Sequence, residues 1–390
     1  LPFMASCSSD QTPQELLSVD LRSGMDHPSM LALQDEIESV EYIPLETTAD
    51  PASLLDGVSE YAVTSNYIYV SPVKEQRIVQ FDRKGHFIKT LIPFGQGPGE
   101  FSDFLAGMQA DEKNNRLYLF CSNKIMVYTL DGEFVQNLNH DYMIAYQRMV
   151  GKNRFASVAF PYMPFESGSY GLGVFSEKAD TIVMKNDFSS PFVPREKAGF
   201  TIALAMAYSD VEESVLFKSG CNDTVFRVAA DDILPACVLR TGNSDKEVIR
   251  SLDATDFTSL KKKFGEDHDI FVFDMFETPS NYYFRCKYNA GHYVASVHKK
   301  TGQVLAEKCV QPGDIRALGD ANLLYGMLGT KSYQDFPVWG RTQGDCLVQL
   351  LTAYELHLYK EKCNITVPSE LKEVNDDSNP VFIVYKLRKA

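Results

Sequence analysis

The chain has 390 residues, 44% of them hydrophobic and 23% charged, which is enough to pack a core and too apolar for disorder across its bulk. A formal net charge of -14 argues against nucleic acid or an anionic membrane surface as the main partner. No apolar window reaches the length of a transmembrane helix, and 20 Tyr and 25 Phe against a single Trp favour strands over helices.

From the first residue, Leu1-Pro2-Phe3-Met4-Ala5-Ser6-Cys7-Ser8-Ser9-Asp10 places small residues before a cysteine and a polar stretch behind it. This is the pattern of the tail of a bacterial lipoprotein signal peptide. On that reading residues 1–6 stand outside the fold and Cys7 carries the lipid, with the body hanging from a membrane on a tether. The alternative is an ordinary start followed by a buried cysteine. Residues 8–35 are polar and weakly patterned and are expected to be tether. The chain thus divides into a leader remnant and tether, 1–35, and a folded body, 36–390. The remaining cysteines are Cys121, Cys221, Cys237, Cys286, Cys309, Cys346 and Cys363. Their number is odd and none forms a Cys-x-x-Cys pair, so they read as small buried hydrophobes rather than zinc ligands, with one or two disulfides left open.

Residues 36–47 alternate like a strand, in which Pro44 needs an edge or a bulge because it cannot donate to a ladder. From residue 56 the strand rhythm is steady. Residues 61–63, 67–70, 77–81 and 87–91 make one four-stranded unit, and 107–110, 116–120, 124–128 and 134–138 make the next. The phrase Phe81-Asp82-Arg83-Lys84-Gly85-His86-Phe87-Ile88 returns 47 residues later as Tyr128-Thr129-Leu130-Asp131-Gly132-Glu133-Phe134-Val135. A strand-built period of this size is the sequence sign of a β-propeller, in which blades stack because none can bury its apolar face alone. Later units are more degenerate: 146–185, 202–240, 270–310, and a sixth that begins near Ile315 and finishes at 380–387. The count is six, within a pattern that allows six to eight. The expected fold is therefore all-β, a six-bladed propeller of four-stranded antiparallel blades with short helical insertions.

Two stretches break the rhythm. Ser244-Asp245-Lys246-Glu247 is a capping box that opens one or two short helices running to Gly265. In Asp345–Cys363 the residues Leu347, Leu350, Leu351, Tyr354 and Leu358 fall on one helical face.

Between the first two units lies Phe94-Gly95-Gln96-Gly97-Pro98-Gly99-Glu100-Phe101. It is a poor phosphate loop, since Pro98 removes a donor, no Lys follows and no clear helix begins. It reads as a blade-to-blade connection on the face where the channel opens. There Gln96, Glu100 and Asp103 are the candidate ligand contacts, with a structural role in bonding loop amides the stronger reading for Glu100. Residues 160–165 supply a second candidate in the aromatics Tyr162 and Phe165, which stack on a sugar or peptide if exposed and otherwise cover a blade end. Ser167-Gly168-Ser169-Tyr170-Gly171 sits in a hairpin-like setting and not at the strand-to-helix turn that a nucleophile elbow requires. Glu266-Asp267-His268-Asp269 has the atoms for a metal, but adjacent residues converge on one ion only if the backbone curls around it. No cofactor is expected, and calcium is the one ion left open.

The chain resembles the six-bladed β-propeller lipoproteins abundant in Bacteroides-type bacteria, which are related to NHL-repeat propellers. The residues that carry the likeness are Tyr42-Ile43-Pro44-Leu45-Glu46-Thr47, the Phe-Asp-x-x-Gly-x-Phe unit at 81–87, Gly95-Gln96-Gly97-Pro98-Gly99-Glu100-Phe101 and Asn379-Pro380-Val381-Phe382-Ile383-Val384-Tyr385-Lys386-Leu387. The resemblance implies a cell-envelope location, and a closed ring in which residues 38–45 pair beside 381–387. It implies no general activity and transfers no catalytic residue.

Two functional classes remain. One is a lipid-anchored monomeric module that binds a protein, peptide or glycan through the loop face and meets the membrane only at Cys7. The other is a metal-dependent enzyme of the lactonase or lyase kind, with its ion in the central channel. The first is favoured, because the inner-strand segments 61–63 and 107–110 are poor in metal ligands.

Overall fold

The computed structural model describes residues 16–139, 144–159, 169–189, 207–241, 270–309, 341–357 and 368–389, apart from 30, 32, 76, 98, 122, 123, 212, 219–221, 290, 344 and 355. The chain opens with a two-residue strand β1 (Ser18–Val19), a helical turn α1 (Arg22–Met25) and strand β2 (Ile37–Pro44). Blade 1 then follows as β3 (Val58–Val63), β4 (Tyr67–Pro72), β5 (Ile78–Asp82) and β6 (Phe87–Ile92). Blade 2 is β7 (Leu105–Asp111), β8 (Arg116–Cys121), β9 (Lys124–Tyr128) and β10 (Phe134–Asn139). Blade 3 is β11 (Ile144–Met149), β12 (Arg154–Ala159), β13 (Ser169–Ser176) and β14 (Thr181–Ser189). Blade 4 is β15 (Ala207–Val211), β16 (Ser214–Lys218), β17 (Thr224–Ala229) and β18 (Ile233–Leu239), and blade 5 is β19 (Phe271–Glu277), β20 (Asn281–Tyr288), β21 (Gly291–His298) and β22 (Val304–Cys309). Blade 6 joins β23 (Arg341–Gln343), β24 (Cys346–Leu351) and β25 (Val381–Leu387) to β2 from the other end of the chain. This is the six-bladed propeller the repeat predicts. The first strand of each blade is innermost, and these strands meet one another around the axis.

The core is divided into six apolar clusters, one in each gap between neighbouring blades. The period-2 geometry of a strand produces this division. On β8, Leu117, Leu119 and Cys121 enter the cluster shared with blade 1, while Tyr118 and Phe120 enter the one shared with blade 3. On β4, Ile68 and Val70 face blade 6 while Tyr69 faces blade 2. Middle strands buried on both faces read as unbroken apolar runs.

The repeated phrase has a mechanical origin. The Asp82 carboxylate accepts from the amides of Lys84 and His86, 2.8 and 2.9 Å away, and closes the β5–β6 turn. Thr129 does the same with its hydroxyl for the Glu133 amide in the β9–β10 turn. Each turn carries a glycine in the left-handed region, Gly85 at φ +89 and Gly132 at φ +91. Each glycine is also pressed onto the preceding blade. A methyl group on Gly85 would strike the Pro44 carbonyl, and one on Gly132 would lie 2.8 Å from Leu91 Cδ1 and 3.0 Å from the Leu91 carbonyl oxygen.

The ring closes as the resemblance implies. β2 pairs antiparallel with β25, Tyr42 opposite Ile383, and Pro44 sits at the last position of this outermost strand. Buried Asn379 fastens the joint. Its Oδ1 accepts from the Leu55 amide at 2.8 Å, and its Nδ2 donates to the carbonyls of Glu46 (2.8 Å) and Ser53 (2.7 Å).

Two expectations are corrected. Residues 16–36 belong to the body and not to a tether. β1 adds in parallel to the outer edge of blade 4, with the Val238 and Arg240 amides donating to the Leu17 and Val19 carbonyls, both at 2.8 Å. The segment then crosses blade 5, burying Leu21, Met25, Leu31 and Leu33. These apolar residues follow no period because each fills a separate niche on an existing surface. Blade 4 is accordingly five-stranded. Second, Asp345–Cys363 is not one helix, since its first half is β24, with Leu347 and Leu351 facing blade 5 and Val348 and Leu350 facing blade 1. A strand buried on both faces and a helical stripe give the same apolar spacing here. Among the described residues of this stretch helix begins only after β24, where the Leu356 amide bonds the Thr352 carbonyl at 3.0 Å. The first described strand of blade 6 is β23, from Arg341; residues 310–340, where the sixth unit is expected to begin near Ile315, and 242–269, with the expected capping box, lie outside the described residues.

Replacing Gly132 with Ala combines backbone strain with a clash against main chain. We expect a loss of about 2–4 kcal/mol in denaturant unfolding, with Gly99→Ala, where a methyl would meet only the Phe134 Cβ at 3.4 Å, costing less than half as much. Equal costs would contradict the seating of Gly132 on blade 1.

Candidate functional site

Because strands alternate in direction, the connections fall into two sets at opposite ends of the blades. One set leaves the end where the inner strands begin. It includes 45–57, 93–104, 190–206, 240–270 and 310–340 between blades, and 160–168 and 352–380 within blades. The opposite set contains runs of no more than five residues, such as 129–133 and 299–303. The stretches between strands are therefore long at one end of the ring and short at the other.

The described part of that end, on blades 6, 1 and 2, is a braced rim. The Arg77 guanidinium donates to the carbonyls of Ala52 (2.7 Å) and Leu54 (3.1 Å), and to the Glu75 carboxylate at 2.7 Å. The Asp56 carboxylate accepts from the amides of Val73 (3.1 Å) and Lys74 (3.0 Å), tying the 45–57 connection to the β4–β5 turn. In the glycine-rich loop Phe94 and Phe101 form a parallel bridge, and the Gly95 amide donates to the Phe101 carbonyl at 3.0 Å. Glu100 turns back under the loop, its carboxylate accepting from the Gly97 amide at 2.9 Å and lying against Gly95, where no side chain fits. Asp103 pairs with Lys124 at 2.5 Å.

The side chains left pointing outward are apolar. Phe94 is 57% exposed, Phe104 69%, Leu54 53%, Val73 57% and Tyr354 65%, all on connections at this end. Among the described residues, none of the short turns at the opposite end exposes a large apolar side chain. Free apolar tips on a rigid frame mark an interaction surface more than isolated exposed leucines do.

The channel mouth lies beside this rim. In four of the six inner strands the ladder slips near the loop end: between Val58 and Glu60, Leu105 and Gly107, Ile144 and Tyr146, and Val272 and Asp274. Bulges of this kind re-aim side chains and increase local twist. Deeper in, Gln109 clasps the main chain of Met149, accepting from its amide at 2.8 Å and donating to its carbonyl at 3.2 Å. Arg148 is fully buried, its guanidinium 5.7 Å from the Phe120 ring centre and packed over Gly107. Where β19 ends, buried Glu277 holds Arg227 (2.8 Å) and Lys299 (2.6 Å), joining blades 4 and 5. Charge is present on inner strands of early and later blades alike, with Glu60 buried on β3. Among the described residues no three His, Cys, Asp or Glu side chains are grouped to hold an ion.

The predicted residues divide accordingly. Gln96, Glu100 and Asp103 share the loop-bearing end; Glu100 and Asp103 are engaged in holding the rim, and Gln96 is exposed on the loop ahead of them. Cys7, Tyr162 and Phe165 lie outside the described residues, as does Glu266–Asp269. Ser169 begins a strand, which is incompatible with a nucleophile elbow. Sequence reasoning missed Phe94, Phe104, Leu54 and Val73. For Phe94, between Pro93 and Gly95, and Val73, after Pro72, the available signal was a large apolar residue beside Pro or Gly in a connection.

Residues 16–386 match the family described as a domain of unknown function (DUF4934), and the chain belongs to that family. Among solved structures it is similar to a Bacteroides fragilis protein named as a candidate exported protein, at 14% identity and TM-score 0.64, covering 96% of this chain and 99% of that one. It is also similar to a Bacteroides vulgatus member of the DUF4221 family, at 10% identity and TM-score 0.52, covering 91% and 98%. At such identities the likeness is one of fold. No curated protein matches the chain. No described helix is long and apolar enough to cross a membrane.

The thiols offer a check on the packing around this site. Burial, with Asp103 adding to it, pushes the Cys121 thiol up to about 12; burial does the same to Cys237, also to about 12. Cys121, Cys237 and Cys286 are free thiols and buried, whereas Cys346 is partly exposed. At pH 8 these three should stay unalkylated in the folded protein and react after unfolding, as read by mass spectrometry of the labelled peptides. Labelling of Cys121 as fast as an exposed thiol would show that the blade 1–2 gap is open.

Proposed function

We propose that this chain is a cell-envelope propeller, lipid-anchored through Cys7, whose loop-bearing end captures a partner protein or peptide. The observation that carries the reading is the composition of the rim. Its described polar groups are largely spent on internal bracing, while Phe94, Phe104, Leu54 and Val73 are presented outward. A glycan is recognised by planar polar side chains that hydrogen-bond its hydroxyls, with an aromatic ring beneath the sugar. A rim whose carboxylates and guanidinium already have partners serves that poorly and serves apolar anchors of a protein well. The likeness to an exported protein of similar fold agrees with an envelope location. The resemblance of Cys7 and its flanks to a lipoprotein processing site supplies the anchor.

The test compares the chain with the double variant Phe94→Ser, Phe104→Ser on a peptide array and on a glycan array. We expect peptide binding, weakened at least tenfold in the variant, with the melting temperature unchanged within a degree or two because both rings are solvent-facing. Binding confined to the glycan array, or peptide binding that the variant retains, would overturn the reading. The anchor is tested separately by labelling cells that express the full-length precursor with a fatty-acid analogue; label should be lost in Cys7→Ala.

A further inference from the structure

The N-terminal strap, residues 16–36, lies across the outer edges of blades 4 and 5. It is anchored at its start by the pairing of β1 with β18 and at its end by Glu36 and the Arg388 contacts, and the stretch between, over blade 5, is held by a few described bonds. Ser29 donates its amide to the Ala306 carbonyl at 2.7 Å, and Tyr288 donates its hydroxyl to Asp26 at 3.1 Å. Leu31 donates its amide to the Glu307 carboxylate at 3.1 Å. Leu31 and Leu33 are buried on either side of this last contact in the blade 5–6 cluster. Glu307, on β22, is thus a carboxyl group half covered beneath the strap and accepting from a backbone amide of it. The charged groups around it are engaged or turned away. On the strap, Asp20 accepts from the Arg22 amide, Glu36 accepts from Asn281 and Tyr283, and Asp26 from Tyr288, while His27 and Asp35 are exposed. Lys308 beside it on β22 is exposed, His298 at the far end of β21 bonds Thr301, and Glu370 and Lys372 near the buried Leu371 are exposed.

We propose that the strap is a pH-weighted clasp, seated on blade 5 when Glu307 is protonated and loosened when Glu307 ionises beneath it. The direction of titration agrees with the geometry: burial pushes the Glu307 carboxyl up from 4.5 to about 7, and the Leu31 amide only partly offsets this. With the strap open the group regains water and its ordinary value. Opening therefore releases a proton, and it becomes easier as pH rises from about 5 to about 7, with little further change above that. On the reading that Cys7 is lipidated, opening 16–33 would lengthen the leash by up to roughly 60 Å at about 3.4 Å per residue. The clasp itself does not depend on that reading.

Hydrogen exchange on the soluble chain tests it, with rates corrected for the intrinsic pH dependence of exchange. Protection of the Ser29 and Leu31 amides should fall about tenfold between pH 5 and pH 8, the full effect being reduced because Glu307 is half solvated. In Glu307→Gln the protection should be independent of pH, while amides of β8 stay protected throughout in both proteins. Protection at Ser29 and Leu31 that does not change with pH in the unaltered chain would overturn the proposal, as would an unchanged pH response in Glu307→Gln.

Discussion

A blade of this propeller is apolar on both faces, and everything else in the molecule follows from the need to give each blade two neighbours. Leu119 cannot leave water unless blade 1 is present, and Phe120, its neighbour in sequence, cannot unless blade 3 is. A linear stack would leave two apolar faces open. The ring removes them, but only if its ends meet, and β2 and Asn379 make that closure. Asn379 lies between the 45–57 connection and β25, and it satisfies an amide and two carbonyls that would otherwise be buried without partners. The Asn-Pro phrase is therefore a structural device and carries no chemistry.

Closure also fixes where function can reside. The turns at one end are short because their glycines are pressed onto the preceding blade: Gly85 on Pro44, Gly132 on Leu91. Gly302, at φ +70, makes the corresponding approach to Leu17 and Val19, so the strap takes the place of the preceding blade's outer strand between blades 4 and 5. Turns with this duty tolerate no insertion. The connections at the other end only have to reach the next inner strand, and they are free to lengthen and vary. The loop-bearing rim is thus the surface that the packing leaves unconstrained. Arg77, Asp56 and Glu100 then restore order locally.

Most of the architecture was legible because it rests on local rules. The repeated Asp-x-x-Gly and Thr-x-x-Gly turns announce both the period and the hairpins, and the alternation around Tyr42 announces an outer strand. Two kinds of information were not legible. Leu347-Val348-Gln349-Leu350-Leu351 satisfies a helical stripe and a doubly buried strand equally, and only the presence of blades 5 and 1 decides between them. The strap's apolar residues, from Val19 to Leu33, obey no period because the niches they fill belong to blades 4 and 5 and not to their own segment. The site was partly legible. Glycines at 95, 97 and 99 mark the loop, but whether Glu100 faces a ligand or the Gly97 amide is a matter of three-dimensional folding-back.

The same reasoning separates the channel from the rim as a seat of function. In the inner strands charge is paired across blades: Glu277 of blade 5 with Arg227 of blade 4, and Arg148 of blade 3 with the ring of Phe120 in blade 2. Such contacts hold adjacent blades in register, and removing one partner would leave a buried charge uncompensated. A group committed to the ring's own assembly cannot be surrendered to a ligand without loosening the ring. At the rim the commitments run the other way: polar groups brace the frame, and the apolar tips take no part in it. Phe94 and Phe104 can be covered by a partner without disturbing any contact that the fold requires, and this freedom makes the rim the part of the molecule best suited to binding.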